Sequence, residues 1–165
     1  MQKLMILRHA KAVPWYPGVD DFARPLSDIG TGHAGKVVNW MGKRLDAPDS
    51  IICSPSQRTR ETLSPLLSQN PVLESVTRYE PTLYGASTGA LHALLDFEFA
   101  EADRILIVGH NPGFEMLLFN IIAHSEYDKI RRLATGTLVV VDFESGWETG
   151  SGKGILRHKV RGKKL

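Results

Sequence analysis

A chain of 165 residues, 42% hydrophobic and 23% charged, can bury a substantial core and is too apolar to stay disordered. Its one cysteine excludes an internal disulfide, and no run approaches the ~20 apolar residues that a membrane-crossing helix needs. The net charge of +2 is unevenly spread: Arg157 to Leu165 hold five Lys or Arg and no acid, while the preceding 156 residues sum to −3.

Such a basic end reads first as a solvated terminus and second as a contact for an acidic partner. No nucleic-acid or membrane partner is expected. The chain opens on a strand-like segment, Lys3 to Leu7, without the long apolar core of a signal peptide, so a cytoplasmic location is expected. Cys53 sits in the apolar stretch Ser50-Ile51-Ile52-Cys53 and reads as a small buried hydrophobe.

Three short apolar runs, Leu4 to Leu7, Ser50 to Cys53 and Arg104 to Val108, lack alternation, as parallel strands covered on both faces do. Helical patterns lie between them. After Ser27, the segment Asp28 to Leu45 places Ile29, Val37, Trp40, Met41 and Leu45 near one stripe. Ser56 to Ser68, Thr88 to Phe99 and the strongly apolar Phe114 to Ala123 are further predicted helices. Gly136 to Asp142 and Ile155 to Val160 read as strands joined by the Gly- and Ser-rich segment Glu144 to Gly154, forming a long-looped hairpin. The expected fold is a three-layer α/β/α sandwich, with a mostly parallel sheet and the C-terminal hairpin at one edge. Residues 1–165 are expected to form one domain.

Two strand ends share a device. Ser54-Pro55 follows the second strand and Asn111-Pro112 the third, each suited to a helix N-cap followed by a first-turn proline. Helices starting just past the carboxyl ends of parallel strands place backbone amides where ligands, and anions in particular, bind. The first strand ends in Arg8-His9, the second leads to Arg58, and the third leads to His110. If the strands are parallel, two arginines and two histidines converge on one edge.

Each residue type suits phosphoryl transfer. Guanidinium groups bind phosphate oxygens bidentately. A neutral imidazole can attack phosphorus and hold the group covalently, and neighbouring cations favour the neutral form. A second imidazole can stabilise the equatorial oxygens in transit. A metal site does not fit, because no further carboxylate or histidine stands at ligand spacing and the arginines would repel a cation.

Leu7-Arg8-His9-Ala10 resembles the Arg-His-Gly signature of the histidine phosphatase superfamily. Ser54-Pro55-x-x-Arg58-x-x-x-Thr62 and Val108-Gly109-His110 resemble its second arginine and second histidine motifs. With Asp21-Phe22-Ala23-Arg24-Pro25-Leu26-Ser27, the short chain is most similar to the SixA-type phosphohistidine phosphatase branch. The resemblance implies a metal-independent phosphatase without a cofactor, acting on a phosphorylated protein or a small phosphate ester. His9 would be the nucleophile, Arg8 and Arg58 the phosphate clamps, and His110 the second phosphate-pocket histidine. Asn111 is a candidate substrate-binding residue. Arg24 is either an accessory at the mouth or a surface charge before a helix. Glu80 is the one carboxylate placed to donate a proton, or merely a solvated loop acid. Ala10 replaces the signature glycine and must therefore hold an ordinary backbone conformation.

Other readings are a small-molecule phosphomonoesterase and a non-catalytic phosphoprotein-binding module on the same fold. Because a P–N bond breaks with less acid assistance than an alkoxide ester, the doubtful acid favours phosphohistidine.

Overall fold

The computed structural model describes residues 1–165. Strand β1 (Gln2–Arg8) divides its side chains between two cores: Leu4 and Ile6 enter one, Met5 and Leu7 the other. Being covered on both faces explains its unbroken apolar sequence. Helix α1 (Asp28–Arg44) is capped by Ser27, whose hydroxyl accepts from the Gly30 amide at 3.1 Å. Strand β2 (Ser50–Cys53), helix α2 (Gln57–Gln69) and the short strand β3 (Thr77–Tyr79) follow. Then come helix α3 (Thr88–Glu98), strand β4 (Arg104–Gly109), helix α4 (Gly113–Ile121) and the one-turn helix α5 (Tyr127–Ile130). Strands β5 (Thr137–Phe143) and β6 (Ile155–Arg161) close the chain.

The sheet order is β3-β2-β4-β1-β5-β6, with the first four strands mutually parallel and the last two pairing antiparallel. Helices α1 and α2 cover the face carrying Met5 and Leu7, through Val37, Met41 and Leu63. Helices α3 and α4 cover the other, through Leu91, Leu95, Leu117 and Leu118. The result is the expected three-layer sandwich with the hairpin at one edge. Because β4 lies between β1 and β2, the ends of all three strands fall on one edge: Arg8 stands opposite Gly109, and Cys53 opposite Val108. Ala10 is fully buried and, like every non-glycine residue here, has a negative φ, so it replaces glycine without strain.

Several local expectations change. Strand β3 carries no legible signal because it has three residues and pairs only with β2. Helices α2 and α4 start within a residue of the expected Ser56 and Phe114, but their caps differ: Ser56 and Pro112 precede them in place of Ser54 and Asn111, neither with a side-chain cap bond. Ser54 and Asn111 are not caps: the Ser54 hydroxyl lies against His110 Nε2, and Asn111 turns its Nδ2 to Glu115 and the Leu133 carbonyl, leaving its Oδ1 away from the helix amides. Ile29 is exposed; the buried stripe of α1 is Gly30, Ala34, Val37, Val38 and Met41. Gly30 is needed there because a Cβ would lie 2.0 Å from the Lys11 carbonyl oxygen. The basic C-terminus is also not a free solvated end. It forms β6 and a terminal turn, where Gly162 packs so closely that a Cβ would lie 2.4 Å from the His33 carbonyl oxygen.

Candidate active site

At the carboxyl edge of the sheet, Arg8, His9, Arg24, Arg58, His110 and Asn111 line one concavity of about 430 Å³, together with Asp21, Tyr84 and Gly85. The residues predicted from three separate strand ends are thus brought together. The His9 and His110 ring centroids are 5.2 Å apart.

His9 is held by its own backbone. Its amide donates to the Gly109 carbonyl at 3.0 Å, and its carbonyl accepts from the Gly136 amide at 2.9 Å. Gly136 takes a φ of +67°, a conformation glycine adopts freely. The His9 ring Nδ1 lies 2.7 Å from the Ala10 carbonyl oxygen. A carbonyl only accepts, so Nδ1 carries the proton and the neutral ring keeps its lone pair on Nε2. Burial pushes the His9 pKa down to about 4, opposed by the Ala10 bond and reinforced by Arg58, Arg8 and Arg24. The ring is therefore neutral near pH 7. The following residue is fixed as well: Thr62 Oγ1 accepts from the Ala10 amide at 3.0 Å and donates to the Arg58 carbonyl at 2.7 Å.

His110 is pushed down to about 3, by burial first and then by His9 and Arg58. Its Nε2 lies 2.9 Å from Ser54 Oγ, and its Nδ1 lies 3.4 Å from an Arg58 Nη2 that can only donate. Arg8 donates through Nη1 to the Leu133 carbonyl at 2.6 Å. In both pocket arginines, Arg8 and Arg58, Nε is buried without a partner. Buried donors of this kind are costly to leave unmet, and an oxyanion would satisfy them.

Asp21 was not singled out by the sequence, yet it sits at the centre of the mouth. Arg58 donates to its backbone oxygen at 2.6 Å and to its carboxylate at 3.0 Å. Arg24 Nη2 donates to the same carboxylate at 2.9 Å and Tyr84 Oη at 2.7 Å. The Tyr84 hydrogen bond, with those of Arg24 and Arg58 and the Arg58 charge, holds the Asp21 carboxyl down to about 2 against the opposing effect of burial. Arg24 is therefore a mouth residue, as one of its two readings has it, but it faces Asp21. The available signal was the three-residue step from Asp21 to Arg24; nothing local pointed to Tyr84.

Two candidates fall differently. Glu80 does not line the concavity. Its carboxylate accepts from the Thr82 amide at 3.1 Å and hydroxyl at 2.9 Å, closing a short turn. Those bonds lower its pKa, which suits a structural anion and not a proton donor. Asn111 does line the pocket, but its Nδ2 donates to Glu115 at 2.8 Å and to the Leu133 carbonyl at 3.0 Å. Both amide protons are thus committed, leaving a buried Oδ1 with no partner. An acceptor repels phosphate oxygens, so Asn111 positions the Leu133 segment and does not bind phosphate in this arrangement. No cluster of three or more His, Cys, Asp or Glu is placed to hold a metal ion.

A parallel sheet edge gathering two arginines and two histidines around an anion pocket defines the class, and comparison with known proteins places the chain within it. No family model matches the sequence. An uncharacterised protein of Mycobacterium tuberculosis (strain H37Rv) is 34% identical over 123 residues, covering 74% of this chain and 73% of that one. Among solved structures, a candidate phosphohistidine phosphatase SixA from Agrobacterium tumefaciens is 25% identical with a TM-score of 0.83, covering 96% of this chain and 97% of that one. One from Nakamurella multipartitia is 26% identical with a TM-score of 0.80, covering 96% and 95%. The chain belongs to the SixA-type branch of the histidine phosphatase superfamily, a family of phosphatases. No helix is long and apolar enough to cross a membrane.

Proposed function

We propose that this protein removes phosphate from phosphohistidine on a protein, through a covalent intermediate on His9 and without a metal ion. The observation that carries the reading is the protonation pattern of the pocket. It offers a neutral nucleophile, with Nδ1 fixed on the Ala10 carbonyl, and no free carboxylic acid: Asp21 is engaged by Arg24, Arg58 and Tyr84, and Glu80 lies outside.

In the first half-reaction, His9 Nε2 attacks phosphorus, and the P–N bond to the substrate imidazole breaks. With its other nitrogen protonated, as an imidazole is in part near neutral pH, that imidazole takes the bond's electron pair and leaves neutral. An alkoxide leaving group has no such proton and would need the acid this pocket lacks. Arg8 and Arg58 bind the phosphoryl oxygens, and their unmet Nε donors add to that stabilisation. Arg58 must exchange Asp21 for phosphate in doing so. In the second half-reaction, water attacks phosphorus and the P–Nε2 bond breaks. The water proton passes to the product phosphate. His9 also leaves neutral, because Nδ1 keeps its proton against the Ala10 carbonyl throughout. One backbone hydrogen bond thus prepares the ring both to attack and to depart.

The test compares a phosphorylated histidine-containing phosphotransfer domain, p-nitrophenyl phosphate and glycerol phosphate. The first two have leaving groups that need no acid, and each is expected to turn over at least 10²-fold faster than glycerol phosphate. His9→Ala should abolish turnover while phosphate still binds, and the wild type should show an acid-labile phosphate on His9. Equal rates for glycerol phosphate would favour the phosphomonoesterase reading. Absence of any turnover, with phosphate still bound, would leave a non-catalytic binding module.

A further inference from the structure

Beside the catalytic pocket lies a second concavity, of about 470 Å³, lined by Arg132, Ala134, Thr137, Lys159, Arg161 and Lys164. No acid lines it, and none of its four cations belongs to an ion pair. Leaving so many like charges together is unfavourable in the free protein unless an anion comes to neutralise them. Arg161 Nε is also buried without a hydrogen-bond partner.

The two concavities share a wall. Leu133, whose carbonyl is bound by Arg8 and Asn111, lies between Arg132 and Ala134 in the chain. In the sheet, Leu7 pairs with Leu138, and Thr137 pairs with Arg161, so β5 connects the end of β1 to the basic edge strand. Arg132 and Arg161 are close enough to the site to lower the Arg8 pKa, after burial, which is the larger cause. At the catalytic pocket itself, Tyr84 stands in edge-to-face contact with Phe22, each more than a third exposed. Exposed aromatics and arginines around one opening are the composition of a protein interface.

We infer that the basic concavity formed by Arg132, Lys159, Arg161 and Lys164 docks an acidic protein surface next to the phosphorylated residue. The inference rests on the phosphohistidine reading above and names a feature of the substrate: carboxylates flanking the modified histidine on one side. The basic C-terminal segment thereby gains a use. Lys159, Arg161 and Lys164 all belong to it, whereas Arg157 is committed to Asp142 and Glu144. Attraction of this kind acts within about a Debye length, ~8 Å at physiological ionic strength, and salt should weaken it.

Two peptides carrying one phosphohistidine test this, one flanked by four glutamates and the other by four glutamines. Wild-type protein should hydrolyse the glutamate peptide with a kcat/KM about tenfold higher at low salt, the change that a few exposed ion pairs produce. The advantage should shrink as salt is raised. The double variant Arg132→Glu, Lys164→Glu should lose it, while p-nitrophenyl phosphate turnover stays within about twofold. Equal rates for the two peptides in wild type, or an advantage that survives in the double variant, would overturn the inference.

Binding of a fluorescent glutamate peptide without phosphate gives a readout independent of the chemistry. If that peptide binds and the double variant loses it while neither phosphohistidine peptide is hydrolysed, the docking surface stands and the phosphohistidine reading falls. If fructose 1,6-bisphosphate gains the tenfold advantage and the glutamate peptide neither binds nor turns over faster, the concavity takes a second phosphate and the protein-docking inference is wrong.

Discussion

Replacing Asp21 with asparagine keeps the side chain's shape and removes its charge from the pocket mouth. In the free protein this carboxylate holds Arg58 Nη2 at 3.0 Å and Arg24 Nη2 at 2.9 Å. A phosphate on Arg58 competes for the same donors, and it faces a negative charge within about 6 Å. Two unit charges at that distance repel by about 0.7 kcal/mol in water and about 3 kcal/mol at an effective dielectric of 20. The Asp21 side chain is 40% exposed and stays paired with Arg24, so the lower part of that range applies. A net effect of about 1.4 kcal/mol predicts that Asp21→Asn binds inorganic phosphate about tenfold more tightly. The assay is competitive inhibition of p-nitrophenyl phosphate hydrolysis by phosphate, at pH 7 and low salt, with a melting curve to show that the variant is folded. A phosphate inhibition constant unchanged within twofold, or weaker than wild type, would refute the picture of Asp21 as the internal competitor for Arg58. The expected outcome assigns Asp21 a physiological use, which is to keep the site from being held by its own product.

Three further outcomes follow from the geometry. Glu80→Gln should leave kcat on p-nitrophenyl phosphate within about twofold, since the carboxylate only closes a surface turn; a hundredfold loss would restore it as an acid. Thr62→Val should destabilise the fold by about 1–3 kcal/mol in urea unfolding, because the buried Ala10 amide loses its acceptor; a change below about 0.5 kcal/mol would mean that the backbone finds another partner. His9 and His110 have folded pKa values of about 4 and about 3, below the ordinary 6.5, so the unfolded chain binds more protons between those limits. Stability from these rings is therefore complete above pH 6.5 and declines as pH falls toward 4. The melting temperature should track that window, and the slope should flatten when both rings are replaced by glutamine.

The parts of the fold legible in the sequence were those whose burial dominates everything else. Strands β1, β2 and β4 are covered on both faces, so their apolar runs announce them, and their order along one edge brings His9, Arg58 and His110 together. The caps of α2 and α4 were misplaced for a physical reason. Ser54 and Asn111 have the side chains of N-caps, but the Ser54 hydroxyl is engaged by the buried His110 ring, and the Asn111 amide is turned by its Nδ2 bonds to Glu115 and the Leu133 carbonyl so that its Oδ1 meets no helix amide. Strand β3 is too short and too exposed to carry a pattern. Asp21 and Tyr84 lie far apart in the chain, in segments without regular periodicity, and their meeting depends on tertiary contacts that spacing does not encode. The basic tail was legible both as charge and, through Ile155 to Val160, as the second strand of the hairpin; what spacing did not show is the terminal turn after it, where Gly162 packs against His33.

The edges of the sheet have a consequence for how the molecule can be altered. An edge strand exposes unpaired backbone groups that can template pairing with another chain. One edge is β3, with only three residues to offer. The other is β6, seven residues long, where Arg157, His158 and Lys159 are exposed and the pairing with β5 shifts register at Val140 and Val141. Positive charge along that strand opposes the pairing of two copies there. Replacing Lys159 and Arg161 with uncharged β-formers such as threonine or valine would therefore strip part of the charge that guards this edge, and self-association would report that loss separately from any effect at the basic concavity.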